Sequence, residues 1–491
     1  MLLLYFLFNS ISFAETIHLK SGRKIEGKII KRTDEKVRIE FQGTVLTFWS
    51  DEIERIDNGG SQAQGQSSQV DSPITQEENL YRKAVSKLKE QPPGSGFYIH
   101  QILPDIVQNG WKEDPRVIAL LNNNQEAIDL FKEAINQDGG YLFGNNKEFL
   151  NTKLATHNQF AAINLFRLML IQASDYTAKK KYTDAQDNYL DNVKFLKNLC
   201  AKEPKLMLIV IYRQIFLDIF EPMITQVIEK NYFDKTFYQD MLRELLLVKD
   251  YENYLKDLLK SEDEFALITM QNLKDSARQK GVPNWEFFSE YIPRYQKQSQ
   301  KILQYQLNTI DTKSEEMFNP KVEELLGSID EEQLDKYTQE LKNLSFEETK
   351  DGNFTYTKEA IEQYISIFSR DEDLAIKIGL ISKVRSAPRF ISTYYSVVAK
   401  QNNILIATAI KLYQLDNGHL PEKLDNLVPQ YLPAIPSDPF NHFQPVKYVK
   451  KENGYLLYSF GADRVDQLGK TKYKLERTDN NEGDIVFAVF Q

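Results

Sequence analysis

The feature that most constrains this chain is a helical pattern late in the sequence that stops abruptly and is followed by prolines. Apolar residues recur there at intervals of three, four and seven, so they share one face of a helix: Ile391, Tyr394, Val398, Leu405, Ala409 and Leu412. Asn417-Gly418 predicts the end of that helix, because both residues tolerate the left-handed backbone found at helix C-termini. Proline fixes φ and lacks a backbone donor, so an ordered but irregular crossing is predicted where the prolines follow one another, at Pro421, Pro429, Pro433, Pro436 and Pro439.

Three short segments after this crossing have the composition of β-strands. They are rich in aromatic and β-branched residues and lie at 446–450, 455–459 and 485–490. Asn453-Gly454 lies between the first two segments and is typical of a hairpin turn. The sequence therefore predicts a helix, an irregular crossing and a group of short strands, in that order.

The same residues resemble a known family. The motifs are Ala409-x-x-x-Tyr413-x-x-Asp416-Asn417-Gly418-x-x-Pro421, then Tyr431-Leu432-Pro433-x-x-Pro436-x-Asp438-Pro439, then Tyr458-Ser459-x-Gly461-Ala462-Asp463. In this order and spacing they resemble the C-terminal domain of the major pseudopilin of type II secretion systems. The resemblance covers residues 388–491. It implies a helix packed on a small antiparallel sheet, with a calcium ion in the loop between the last two strands.

The resemblance also implies which residues would hold calcium. Asp463, in the Gly-Ala-Asp motif, and Asp484, just before the last strand, match the family's positions. Asp466 is a further oxygen donor in the same loop, and carboxylate oxygens suit a hard cation such as calcium. The alternative is a polar loop without metal, in which Arg464 and Lys470 neutralise the same carboxylates. Both interpretations are open at this point.

The chain departs from this family in the loop and in what precedes the domain. Arg464 stands where the family usually has glycine, and a basic insertion at 470–477 lengthens the loop. In the family a long apolar N-terminal helix continues directly into the domain, whereas here a long region of different character comes first. We therefore expect a borrowed globular domain and not a pilus subunit in the usual sense.

Length and composition bound the class of protein. A chain of 491 residues is too long for one ordinary core, so about two to four domains are expected. Its apolar content of 42% and charged content of 27% are those of a folded soluble protein. The net charge of −9, with no basic patch evident, predicts no nucleic-acid partner. The single cysteine, Cys200, excludes an internal disulfide framework and a cysteine-based zinc site.

Residues 1–76 divide into three predicted segments. Residues 1–8 are apolar and Ser12-Phe13-Ala14 follows them, so the segment 1–14 is typical of a cleaved secretory signal and is too short to span a bilayer. A retained anchor is the alternative. Residues 15–57 alternate with period two, predict about five short strands and resemble small SH3-like barrels of exported bacterial proteins. Residues 58–76 have the composition of a flexible linker. We expect export to the periplasm or cell surface, with no transmembrane helix after cleavage.

Residues 77–386 are predicted to be helical almost throughout. The stretch 206–220 is the most apolar and is expected to be a central buried helix. Lys181-Tyr182-x-x-Ala185-x-x-x-Tyr189 resembles a tetratricopeptide hairpin, although no repeat of fixed period is present. The pattern is compatible with an irregular helical domain and with a true solenoid. The stretch 344–354 is expected to interrupt the helices as a hairpin or loop.

The sequence thus predicts a multidomain, mainly α protein: a small N-terminal β-barrel, a large α-helical domain at 77–386 and a C-terminal α+β domain at 388–491. The five histidines are scattered, and no zinc-protease, nucleophile–base or phosphate-loop motif occurs in the sequence. One hypothesis is an exported non-enzymatic scaffold that binds protein partners of the cell envelope, such as secretion or pilus-like components. The other is an exported hydrolase or glycan-binding protein whose active unit is the helical domain. A deep pocket lined by paired acids or a histidine would favour the second hypothesis.

Overall fold

The chain forms two compact units, Met1–Thr75 and Gln76–Gln491. The computed structural model describes residues 15–19, 24–32, 36–41, 44–49, 53–57, 79–89, 99–137, 142, 152–201, 207–247, 251–328, 330–342, 344, 346–348, 354–471 and 482–490. The predicted signal at 1–14, the predicted linker at 58–76, the side chain of Cys200 and most of the basic insertion lie outside the described residues.

Five antiparallel strands form the described part of the first unit. They are β1 (Glu15–Leu19), β2 (Lys24–Arg32), β3 (Lys36–Phe41), β4 (Thr44–Trp49) and β5 (Ile53–Asp57), in the sheet order β4-β3-β2-β1-β5. β1 lies between β2 and β5, which places Ile17 opposite both Ile25 and Ile56. Closure of the sheet into a barrel stays a prediction.

The second unit is mainly helical, as predicted. Its helices are α1 (Leu80–Lys87), α2 (Ile99–Asn109), α3 (Pro115–Asn123), α4 (Gln125–Asn136), α5 (Thr152–Ala178), α6 (Tyr182–Ala201), α7 (Met207–Lys230), α8 (Lys235–Leu246), α9 (Tyr251–Gln279), α10 (Phe287–Asp311), α11 (Val322–Leu326), α12 (Glu331–Lys342), α13 (Lys358–Phe368) and α14 (Glu372–Asn417). A 3-10 turn, Glu315–Met317, lies between α10 and α11. The expected interruption near 344–354 is a hairpin of β6 (Phe346–Glu348) and β7 (Phe354–Tyr356).

A cluster of phenylalanine rings forms the core among α4 to α7. Phe195 of α6 contacts Phe131 of α4 and Phe216 of α7, with ring centroids 5.0 and 4.9 Å apart, and Phe166 of α5 lies 4.9 Å from Phe216. All four rings are buried, and burying each contributes about 1.5–3 kcal/mol. Phe216 belongs to the stretch predicted to be a central buried helix, and α7 confirms that prediction. Among the helices described here, none is both long and apolar enough to cross a membrane.

The longest helix, α14, runs through the predicted boundary between the helical and C-terminal regions. From the sequence we expected this helix to start near Pro388, but it starts at Glu372. There the Asp371 carboxylate caps the helix by accepting a hydrogen bond from the Leu374 N–H at 3.0 Å. Pro388 lies inside the helix because its apolar face continues upstream through residues such as Ile381, which is buried. The predicted end is confirmed, since Gly418 caps the helix at φ +76°.

The predicted small antiparallel sheet follows the proline-rich crossing. The crossing contains the short pair β8 (Ser437–Asp438) and β9 (Gln444–Pro445). The sheet itself has the order β10-β11-β12, formed by Lys447–Lys451, Gly454–Ser459 and Ile485–Phe490. β10 and β11 form the hairpin expected at Asn453-Gly454. The segment order predicted from the sequence is therefore confirmed.

Three consecutive amide side chains in the middle of α14 join it to three other elements. Gln401 accepts a hydrogen bond from Arg213 of α7. Asn402 donates to the Ser437 carbonyl in the crossing at 3.2 Å, and Asn403 donates to the Ile485 carbonyl of β12 at 3.1 Å. All three amides are buried. Because successive helical residues point in directions about 100° apart, one stretch of α14 reaches three different neighbours.

This arrangement predicts that Asn403→Ala destabilises the protein. The substitution removes the donor to the buried Ile485 carbonyl, and leaving a buried acceptor unsatisfied costs about 1–3 kcal/mol. The measurement is the free energy of unfolding from denaturant titration. Asn308→Ala, at an exposed position within α10, is the matched control and should change stability by less than about 0.5 kcal/mol. Equal effects of the two substitutions would contradict the assigned role of Asn403.

Candidate functional site

The two ends of the loop between β11 and β12 lie close together, because the loop joins two paired antiparallel strands. The Gly483 N–H donates to Asp463 Oδ2 at 2.9 Å. Gly461 lies at φ +73°, and a Cβ placed on it would lie 2.1 Å from the Gly483 carbonyl oxygen. Glycine at 461 is therefore required by the close approach of the two loop ends as well as by the left-handed backbone. Asp463, Asp466 and Asp484 define what we call the acidic loop.

Asp484 is the buried member of the acidic loop. Its Oδ2 accepts from the Gly469 N–H at 2.6 Å, and its Oδ1 accepts a longer hydrogen bond, 3.4 Å, from the Gln467 N–H. Burial raises the pKa of the Asp484 carboxyl group, and the neighbouring charges of Asp466 and Asp463 raise it further, although the two N–H donors oppose this change. Burial is thus the largest cause of the raised pKa of Asp484, and the charges of the other two carboxylates add to it.

The other two carboxylates hold the turns of the acidic loop. Asp463 Oδ1 accepts from the Val465 N–H at 3.1 Å, and its Oδ2 also accepts from the side chain of Gln467 at 2.6 Å. Asp466 Oδ1 accepts from the Leu468 N–H at 2.8 Å. Burial, followed by the nearby charge of Asp466 and a hydrogen bond to it, raises the pKa of Tyr458 to about 12. The carboxylates thus organise the backbone around them.

The donor set can be compared with what a calcium ion needs. Calcium takes six to eight oxygens that converge on one point. Asp463 and Asp484 accept through both of their oxygens from N–H donors, which leaves each oxygen one further lone pair at most. Within the described part of the chain, no group of three or more acidic, histidine or cysteine side chains is arranged to hold a metal ion. Calcium at this loop stays a prediction.

Arg464 does not neutralise the acidic loop, contrary to one of the two interpretations from the sequence. Its guanidinium instead forms a bidentate ion pair with Glu315, in the 3-10 turn after α10, and lies 5.1 Å from the ring centroid of Phe318. His442 Nδ1 also lies 3.0 Å from Glu315 Oε1. Hydrogen bonding to Arg464 lowers the pKa of the Glu315 carboxyl group. Arg464 therefore joins the acidic loop to the helical region.

A second polar cluster is buried between three helices. Lys383 of α14 contacts Asp263 of α9, and it donates to the Ser299 hydroxyl of α10 at 2.8 Å. The Ser299 hydroxyl donates to Asp263. Burial lowers the pKa of Lys383, while the Asp263 charge opposes that change. Because all three side chains are buried, a substrate could not reach the hydroxyl, and the cluster joins three helices.

A cleft between α10 and α11 has a volume of about 340 Å³. Its polar lining consists of Arg294, Lys297, Gln298 and Lys301, and it contains neither a histidine nor paired acids. It is therefore not the pocket that the enzyme hypothesis requires. These residues were not predicted from the sequence, although their spacing of three, four and seven places them on one helical face. Glu315 was not predicted either, because no local pattern identifies a partner so distant in the sequence.

No protein-family model matches the chain, and no curated protein or solved structure matches it either. The comparisons therefore neither support nor oppose the resemblance to a pseudopilin domain. The class of the protein has to be argued from its own residues.

The ion pair between Arg464 and Glu315 predicts a measurable coupling energy. In a double-mutant cycle with Arg464→Ala and Glu315→Ala, the stability coupling should be about 0.5–1 kcal/mol, because the pair is bidentate and only partly exposed to solvent. Since the pKa of Glu315 is lowered in the folded state, the coupling should be present at neutral pH. It should be lost as the pH falls from 4.5 through the lowered pKa.

The pair Lys423–Asp425 is the matched control for this cycle. Both of its side chains are more than two thirds exposed, so the same cycle should give a coupling energy near zero. A coupling of Arg464 with Glu315 that is no larger than the control value would show that the ion pair does not hold the loop.

Proposed function

We propose that this protein is an exported, non-enzymatic interaction protein of the bacterial envelope, with a C-terminal region similar to a pseudopilin domain. The observation that carries the proposal is the order of elements in that region. A long helix is followed by a proline-rich crossing and a three-stranded antiparallel sheet, and Asp463 and Gly483 meet in the loop between the last two strands. This is the arrangement that the sequence motifs imply.

The spacing of those motifs has a physical reason that supports the proposal. Asp438, of the Asp-Pro motif, is buried and accepts a hydrogen bond from the Phe460 N–H at 3.0 Å and another from the Ser459 hydroxyl. The crossing is thereby joined to β11 just before Gly461-Ala462-Asp463. The second and third motifs are thus in direct contact, as expected if they belong to one structural module.

The enzyme alternative has less support within the described residues. A hydrolase needs an accessible nucleophile or acid pair. The cleft between α10 and α11 is lined by cations, and the Lys383–Asp263–Ser299 cluster is buried. An interaction protein requires only a stable surface, and the extensively packed second unit provides one.

Export is tested by the N-terminus and the location of the mature protein. We expect N-terminal sequencing of the chain purified from its native host to begin at Glu15, since Ser12-Phe13-Ala14 precedes it. Cell fractionation should place the protein in the periplasm or at the cell surface. Ala14→Asp should block cleavage, whereas Asn9→Asp, in the same segment, should not. A cytoplasmic protein that begins at Met1 would overturn the proposed location.

Calcium binding is tested by the melting temperature of the intact chain. If the acidic loop binds calcium, millimolar calcium should raise Tm by mass action, and Asp463→Ala should abolish the rise. Asp425→Ala, which changes an exposed carboxylate outside the loop, should leave the rise intact. Because the pKa of Asp484 is raised, protons should compete increasingly as the pH falls, so the rise should shrink at acidic pH. A Tm unmoved by calcium and by chelator would leave the backbone N–H groups as the loop's stabilising partners.

A further inference from the structure

The cleft between α10 and α11 combines an aliphatic floor with cationic walls. Ile302 and Leu326, which are buried, and Leu325 form the floor. Arg294, Lys297 and Lys301 form the walls, and the two lysines are exposed. A cleft with this lining can bind a ligand that has an apolar group and negative charges on either side of it.

The cations of the cleft are regularly spaced. Positions 294, 297 and 301 follow intervals of three and four, so the side chains lie along one face of α10. With a rise of 1.5 Å per residue, the row extends over about 10 Å. That length corresponds to about two turns of a helix, or to about three residues of an extended chain.

The acidic partners of this row are unevenly distributed. Arg294 forms ion pairs with Glu372 and Asp373 at the start of α14. Lys297 and Lys301 form no ion pair with any described residue, and like charges four residues apart on a helix repel each other. In a chain with a net charge of −9, two neighbouring lysines without an acidic partner are locally unbalanced. An anion supplied from outside the chain would remove that imbalance.

The lining of the cleft distinguishes between classes of anion. A small inorganic anion would pair with the lysines but would leave the aliphatic floor in water. A nucleic acid presents a long row of phosphates and usually needs more cations than two lysines and one already paired arginine. A peptide that carries a leucine-like side chain between carboxylates about one helical turn apart satisfies both the floor and the walls.

We propose that this cleft binds an acidic segment of a partner protein, with one aliphatic side chain on the floor and carboxylates paired to Lys297 and Lys301. The proposal deepens the proposed function, because it rests on the protein being an interaction protein and names the chemistry of the partner. Its test uses purified components, so a negative result would not bear on export, and a failure of export would not bear on the cleft.

The probe is a short dye-labelled peptide with glutamates spaced four apart around a leucine, titrated with the purified intact chain by fluorescence anisotropy. Binding should weaken with added salt, because exposed ion pairs are screened. The double variant Lys297→Glu/Lys301→Glu should bind about tenfold more weakly, since each exposed ion pair contributes a factor of up to about five. A peptide with glutamine in place of glutamate, or serine in place of leucine, should also bind more weakly.

Matched variants separate a local effect from a general one. Lys336 is an exposed lysine of α12 outside the cleft. Lys336→Glu changes the net charge by two, as each single cleft substitution to glutamate does, and it should leave the affinity for the peptide within about twofold of the unaltered chain. Lys297→Ala/Lys301→Ala, checked by an unchanged Tm, tests the loss of the cations without new charges. A lysine-containing peptide should bind the Lys297→Glu/Lys301→Glu variant better than the unaltered chain.

Three outcomes would overturn the proposal. One is equal binding of the glutamate and glutamine peptides, and another is equal weakening by Lys336→Glu. The third is binding that does not depend on leucine and is displaced by millimolar inorganic phosphate, which would identify a site for small anions. Loss of the glutamate peptide in both cleft variants, with Tm and the control variant unaffected, supports the proposed acidic segment.

Discussion

The architecture of the second unit depends on hydrogen bonds made by three adjacent amides buried in α14: Gln401 accepts one, and Asn402 and Asn403 each donate one. Each net hydrogen bond contributes only about 1 kcal/mol, but a buried amide or carbonyl left without its partner costs more. The amides therefore discriminate against other arrangements more strongly than they stabilise this one. They fix α7, the crossing and β12 relative to a single helix. Apolar contacts alone would allow these elements to slide along the helix, whereas a hydrogen bond to one particular carbonyl does not.

The geometry of the acidic loop follows from these contacts. Asn402 donates a hydrogen bond to the Ser437 carbonyl. The next residue, Asp438, accepts hydrogen bonds from Ser459 and Phe460 at the start of the loop. Asn403 holds Ile485, which immediately follows Asp484 at the other end of the loop. The two loop ends are thus positioned by neighbouring residues of one helix. This explains how Asp463 and Asp466, separated from Asp484 by a long stretch of sequence, come close enough for their charges to raise the pKa of Asp484.

Local patterns in the sequence predicted the segments better than their partners. The helix end at Gly418, the hairpin at Asn453-Gly454 and the order of the three strands depend on turn chemistry and on periodicity within a few residues, so they could be predicted. The start of α14 could not, because Pro388 is a local stop signal that continuous packing overrides. The three buried amides also gave no clear signal, since polar residues within a helix usually face water. The approach of the two ends of the acidic loop follows from the pairing of the antiparallel strands that it joins, and not from the spacing of Asp463 and Asp484.

Arg464 illustrates how a departure from a sequence pattern acquires a physical explanation from distant contacts. The resemblance places glycine at this position, and the backbone there is left-handed, with φ +59°. A residue with a side chain in that conformation costs about 1–3 kcal/mol relative to a relaxed one. Arginine here gains an ion pair with Glu315 and a contact with Phe318, both of which belong to the region before α11. In a free-standing domain neither contact would exist, and glycine would be the better residue. The arginine is therefore explained by attachment of this loop to the helical region that precedes it.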